Sequence, residues 1–205
     1  HGDDDGVVLP PRVAPSQIVI LPVTPKEDTK AAVLDAAYKL AARLREQRFH
    51  GDLLRVEVDT RDIGGGTKSW EWIKKGAPVR IEIGPRDLEK GSVALARRDR
   101  GPKEKTFPTV DECVEAMISV LQEIQDGLLA KATAYRDANT VRIDTKEDFY
   151  AFFTPKNAEK PEIHAGFALE QRLGQVADRT EDAEDGSGDR PACRIDRRGH
   201  PRALA

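Results

Sequence analysis

The sequence has 205 residues, of which 39% are hydrophobic and 34% are charged, and its net charge is −3. This composition predicts a water-soluble globular protein with one or two domains and a sizeable core. It excludes a membrane-spanning helix, because no run of 18 apolar residues occurs. It also excludes a uniformly basic nucleic-acid binder, so any such site has to be a local basic patch.

Hydrophobic periodicity predicts the following elements in chain order. The prolines within residues 1–16 exclude a helix there, so a short strand or loop and a rigid linker are expected. Strands are then predicted at 17–23, 53–58, 79–83 and 92–97, and helices at 26–48, 69–75, 109–136 and 144–153. Residues 62–68 are predicted as a loop and Gly84-Pro85 as a turn. Strands alternating with helices predict an α/β domain with a parallel or mixed sheet at residues 15–135.

Two of these helices show a buried apolar stripe at helical spacing. The first stripe consists of Val33, Ala37, Leu40 and Leu44. The second, which follows a capping box at residues 109–112, consists of Cys113, Met117, Val120, Leu121, Ile124 and Leu128. Met and Cys in such a stripe are expected to be core residues.

The two cysteines, Cys113 and Cys193, lie too far apart in sequence for a disulfide framework or a zinc cluster. We therefore expect no zinc site and a reducing, cytoplasmic setting. Residues 170–205 contain seven arginines and no lysine, and they have little apolar periodicity. They are expected to form a disordered tail, or else to be a gene segment translated in the wrong frame. The start at His1 instead of Met suggests a fragment.

The first candidate site is the segment 80–105, which carries eight basic and five acidic side chains. Arginine and lysine at strand ends and in loops can contact phosphates. A carboxylate is more informative, because it repels phosphate and can instead accept hydrogen bonds from the Watson–Crick donors of guanine. The alternative is an ordinary solvated face with surface ion pairs.

Other candidates are weaker. Residues 62–69 could hold phosphate on backbone N–H groups, with Lys68 adding positive charge, or could be a plain flexible loop. Asp3–Asp5 could bind Mg²⁺ or could be solvated. Of Trp70 and Trp72, one is expected in the core and the other as a surface platform. His50 and His164 have no paired ligand or nucleophile, so neither is assigned a catalytic role.

Two strings add a family resemblance. Residues 1–23, HGDDDGVVLPPRVAPSQIVILPV, resemble the junction between the catalytic and anticodon-binding domains in prolyl-tRNA synthetases of the archaeal and eukaryotic type. Residues 74–99, KKGAPVRIEIGPRDLEKGSVALARRD, are similar to that family's anticodon-binding core. Weaker matches follow at 134–140, 141–149 and 162–169, so the resemblance covers about residues 1–169.

The resemblance implies a three-layer domain, in which helices cover a five-stranded mixed sheet. It divides the chain into the end of a catalytic domain with a linker (1–14), an anticodon-binding domain (15–135), the start of a short helical extension (136–169) and the irregular tail (170–205). It also implies a homodimeric enzyme that joins proline to tRNA-Pro with ATP and Mg²⁺. The implied tRNA-binding residues are Glu82 for guanine edges, Arg86, Arg98 and Lys105 for phosphates or stacking, and Asp87 beside them.

The chain also departs from the family. The motifs that hold ATP and proline are absent, so we expect no catalytic residues and no bound cofactor. The zinc cysteines that usually follow a segment like 166–169 are absent as well. Two rival interpretations remain: a stand-alone accessory or regulatory RNA-binding protein, and a small-molecule binder that uses the loop at Gly64–Gly66.

Overall fold

In the computed structural model, the described residues are 2–24, 27–101, 104–154 and 166–169. The helices are α1 (Glu27–Arg45), α2 (Gly65–Lys74), α3 (Pro85–Lys90), α4 (Val110–Ala138) and α5 (Lys146–Phe153). The strands are β1 (Gly2–Asp3), β2 (Gly6–Val7), β3 (Ile18–Pro22), β4 (Arg48–Phe49), β5 (Asp52–Leu53), β6 (Val56–Val58), β7 (Val79–Ile83), β8 (Ala94–Arg97), β9 (Lys105–Thr106), β10 (Thr140–Arg142) and β11 (Phe167–Leu169).

The chain forms two compact units, residues 1–135 and 136–205. The first contains a five-stranded sheet in the order β6-β3-β7-β8-β9. Strands β6, β3 and β7 are mutually parallel, whereas β8 and β9 continue the sheet in antiparallel pairs. The predicted five-stranded mixed α/β sheet is therefore confirmed. In the second unit, β10 pairs with β11 in parallel.

Helices cover both faces of the five-stranded sheet. Ile18 and Ile20 of β3 belong to a large apolar core that includes the predicted stripes of α1 and α4. The alternate residues Val19 and Leu21 point to the opposite face, as strand geometry requires, and pack with Trp72 of α2. Every predicted stripe residue is buried except Val120, which is partly buried against the same core.

Several local predictions are wrong, each for a physical reason. Helix α2 begins at Gly65, four residues before the predicted start, because glycine in a first turn leaves no sequence mark of a helix. Pro85 opens helix α3 where a simple turn was predicted, since proline's fixed φ suits a first helical position. The predicted strand 53–58 is divided between the β4–β5 hairpin and β6. Strand β9 was missed because it has only two residues.

Within the described ranges, no helix has both the length and the apolar character needed to cross a membrane. The predicted disordered tail at 170–205, like Cys193 and His164, lies outside the described residues.

Candidate functional site

The pairing register of the sheet places the charged residues of the basic segment on one face. Arg80 lies opposite Ala96, and Ala96 lies opposite Lys105. Glu82, two residues after Arg80, points to the same face. On that face the Nζ of Lys105 lies 2.6 Å from Oε2 of Glu82, and both side chains are partly exposed. The structure therefore brings together two of the predicted site residues that are 23 positions apart in sequence.

This ion pair lies in an open groove of about 810 Å³ between the sheet and α2. The groove is lined by Val23, Gly65, Gly66, Ser69, Trp70, Ile73, Glu82 and Lys105. Two regions that the sequence presented as separate candidates, the glycine-rich segment and the basic segment, thus contribute to one site. Most of the lining is apolar, with one carboxylate and one ammonium group as its charged members.

The two tryptophans of α2 have different environments. Trp72 is 7% exposed and belongs to the core, whereas Trp70 is 42% exposed and lines the groove. The prediction of one core tryptophan and one at the surface is confirmed. Lys74 lies one helical turn beyond Trp70, and its Nζ is 5.6 Å from the centroid of that ring.

A buried network holds the start of α2 in place. The Asp59 carboxylate follows β6 and accepts hydrogen bonds from Arg61 and from Nε1 of Trp72 at 2.9 Å. The Arg61 hydrogen bonds, followed by that of Trp72, hold the pKa of Asp59 well below its ordinary value against the opposing effect of burial. Lys68 is also buried, and its Nζ donates to the Asp59 carbonyl at 3.1 Å. The suggested contact between Lys68 and a bound phosphate is therefore not supported.

Arg80 lies on the same face of β7 as Glu82 and was not among the predicted tRNA-binding residues. It is 1% exposed, and its Nε and Nη1 find no hydrogen-bond partner within the described part of the chain. Burial lowers its pKa, the Glu82 carboxylate raises it, and Arg98 lowers it. Its alternation with Glu82 along a strand could have placed both residues on one face, but its burial could not be inferred from sequence.

Helix α3 carries the next two predicted residues. Asp87 Oδ2 accepts a hydrogen bond from the Gly84 backbone nitrogen at 2.8 Å, so this carboxylate caps the helix. Arg86 is exposed, and it forms no ion pair within the described ranges. Arg86 is therefore available to a ligand, whereas Asp87 already has a structural partner.

Arg98 has a different environment from the other predicted residues. It is 4% exposed, and its guanidinium forms an ion pair with Asp3. Its Nε also donates to the carbonyls of Val7 and Ile73 at 3.0 and 3.1 Å, and its Nη2 donates to Gly6 at 3.2 Å. Arg98 thus ties the β1–β2 hairpin to the end of α2, and the structure does not bring it together with Glu82 and Lys105 in the groove.

The same contact accounts for Asp3 in the acidic segment near the start of the chain. Asp3 binds Arg98, and its Oδ1 also accepts from the Asp5 backbone nitrogen at 3.0 Å. Across the residues that the structure describes, no group of three or more His, Cys, Asp or Glu side chains could hold a metal ion.

Comparison with known proteins gives a family match. A family model described as an anticodon binding domain matches residues 17–124. A proline–tRNA ligase of Protochlamydia amoebophila is 51% identical over 175 residues, covering 85% of this chain and 34% of the relative. One of Akkermansia muciniphila is 61% identical over 139 residues, covering 68% and 28%. Proline–tRNA ligase 2 of Anaeromyxobacter dehalogenans is 50% identical over 181 residues, covering 86% and 36%. The chain spans about a third of the length of these relatives.

Proposed function

This chain belongs to the anticodon-binding domain family, and from that premise we propose that it is the tRNA-reading part of a proline–tRNA ligase. In this proposal the groove between α2 and the sheet holds the anticodon loop of tRNA-Pro. The observation that carries it is the Glu82 carboxylate in the groove, where its salt-bridge partner is Lys105.

A carboxylate in an RNA-binding groove favours a contact with bases. It repels phosphate, and two acceptor oxygens match the two donors on the Watson–Crick edge of guanine. In the free protein, the ammonium group of Lys105 balances the negative charge of Glu82. When a base binds Glu82 in place of Lys105, the Lys105 side chain can move to a nearby phosphate. Arg86 supplies a second phosphate contact from α3, whereas Asp87 and Arg98 act by holding α3 and the N-terminal hairpin in position.

Arg80 contributes from beneath this surface. A buried guanidinium is costly when some of its N–H groups lack hydrogen-bond partners, as the Nε and Nη1 groups of Arg80 do, because their desolvation is not compensated. The nearby carboxylate of Glu82 offsets part of that cost. We propose that Arg80 strengthens the local positive potential of the groove and thereby attracts the RNA backbone.

The same proposal extends to the longer protein. It would use ATP and Mg²⁺ at a catalytic domain, join proline to tRNA-Pro and form a homodimer through that domain, in the cytoplasm. We retain the archaeal and eukaryotic type as a proposal, based on the junction at residues 1–23. The relatives named above come from bacteria, so the type would describe sequence architecture and not the source organism.

The test compares binding to a tRNA-Pro anticodon stem-loop and to a copy with both anticodon guanines replaced, at one fixed moderate salt concentration. The native loop should bind more tightly, and Glu82→Gln should reduce the preference by about 1–3 kcal/mol, the usual discrimination of a paired base contact. Exposed Glu57 on β6 lies outside the groove, so Glu57→Gln is the matched control. Equal binding of both loops to the unmodified chain would refute the proposal.

A further inference from the structure

Trp70 is an exposed tryptophan whose position the fold does not explain. It is 42% exposed, whereas Trp72, two residues later, supplies the apolar contact that fixes α2 to the sheet. The position of the exposed ring within a groove favours a binding surface, because ligand sites are typically concave and lined by apolar and aromatic side chains with a few polar groups. The surroundings of the ring are not purely apolar, because Glu82 and Lys105 line the same groove.

The neighbourhood of the ring favours nucleic acid over an apolar protein segment. Lys74 places its Nζ 5.6 Å from the centroid of Trp70, which adds a positive charge beside the aromatic face. An aromatic platform with a cation at its side is the combination by which proteins hold single-stranded nucleic acid, since the base stacks and the phosphate binds the cation. A purely apolar partner would leave Lys74, Glu82 and Lys105 desolvated at a cost.

We propose that Trp70 stacks with one unpaired base of the bound RNA loop and that Lys74 contacts an adjacent phosphate. This inference rests on the proposed function, because it adds a stacking subsite to the same groove. It assigns sequence-independent affinity to Trp70 and Lys74, since every base has an aromatic face. Base preference stays with Glu82, so the two contributions are separable by experiment.

The test measures the affinity of the 205-residue chain for the same stem-loop over a series of salt concentrations. Trp70→Ala should weaken binding by about 5- to 150-fold without changing the salt dependence, because stacking releases no counterions. Trp70→Phe should retain most of the affinity. Lys74→Met should lower the slope of log affinity against log salt by about 0.7. Tyr38 is exposed on α1 away from the groove, so Tyr38→Ala is the matched control.

Intrinsic fluorescence gives an independent readout, because the chain has only two tryptophans. RNA should quench the emission of the unmodified chain, and it should quench the emission of Trp70→Phe far less.

If the unmodified chain discriminates the guanines but Trp70→Ala binds as tightly, the stacking subsite is wrong and the proposed function stands. If the unmodified chain does not bind the stem-loop, the proposed function itself fails. A Trp70→Ala loss that is matched by a reduced salt slope would also overturn the assignment.

Discussion

Replacement of Asp59 by alanine should destabilise the first unit by a predictable amount. The Asp59 side chain is 3% exposed and accepts a hydrogen bond from the indole nitrogen of Trp72. Without this acceptor, the buried N–H would be left unpaired, which costs about 1–3 kcal/mol. The ion pair with Arg61 adds only about 0–1 kcal/mol, because the Arg61 side chain is 47% exposed. We expect the free energy of unfolding to fall by about 1–4 kcal/mol in total.

The assay is urea unfolding followed by far-UV circular dichroism, which does not depend on either tryptophan. Asp59→Ala should lower the midpoint without changing the slope, because the native surface area stays the same. Exposed Asp62 forms no ion pair within the described ranges, so Asp62→Ala serves as the control and should change stability by less than about 0.5 kcal/mol.

A double-mutant cycle tests the assigned cause. In a Trp72→Phe background the indole donor is gone, so Asp59→Ala should cost about 1–3 kcal/mol less than it does in the unmodified chain. An equal cost in both backgrounds would refute the hydrogen bond as the source of the effect. A loss below about 0.5 kcal/mol in the unmodified chain would refute the whole account of this network.

Two further predictions concern the N-terminal hairpin. The hydrogen bonds from Arg98 lower the pKa of Asp3 from 3.8 to about 2, so the stability from this pair should be present above pH 4 and lost as the pH falls toward 2. The difference in urea midpoint between the unmodified chain and Asp3→Asn should therefore shrink below pH 4, and a constant difference would contradict it. Gly76 has a φ of 74°, and an added Cβ would lie 2.7 Å from the Val7 carbonyl oxygen. Gly76→Ala should thus lower the free energy of unfolding, measured by thermal denaturation, by about 1–3 kcal/mol. Gly66→Ala should not lower it, because a Cβ at position 66 would meet open space.

The sequence was sufficient for elements whose pattern is local. The stripes of α1 and α4 recur at helical spacing, so the core residues Leu40 and Met117 could be named before the structure was known. Local patterns failed where a segment was short or rich in glycine, as at β9 and at the start of α2. The order of the five strands was likewise beyond the sequence, because pairing between distant segments depends on the packing of both sheet faces.

The candidate site shows the same contrast between features that a local pattern predicts and features that depend on distant segments. Glu82 could be named before the structure only through the family resemblance of residues 74–99, because the basic segment contains five acidic residues and charge alone does not single one out. Its pairing with Lys105 required the register of two antiparallel strand pairs, which no local pattern encodes. Arg98 looked equivalent to Arg97 in sequence, yet Arg97 pairs with nearby Asp99 whereas Arg98 binds Asp3, 95 positions away. Burial and partner choice, which depend on the fold, therefore decide which segments a charged residue joins.

The position of the groove follows from the strand directions. In sheets with parallel strands, ligands bind beyond the carboxyl ends of the strands, where the connecting segments diverge. Val23 follows β3 and Gly65 lies in the connection after β6, and both line the groove. Glu82 differs because it belongs to strand β7 itself, so its backbone is held by pairing with β3 on one side and β8 on the other. A base-reading group benefits from that rigidity, since it loses little conformational freedom on binding. A phosphate contact, the role proposed for Arg86, tolerates mobility, because an ionic contact depends weakly on orientation. The location of each residue in the fold therefore agrees with the role proposed for it.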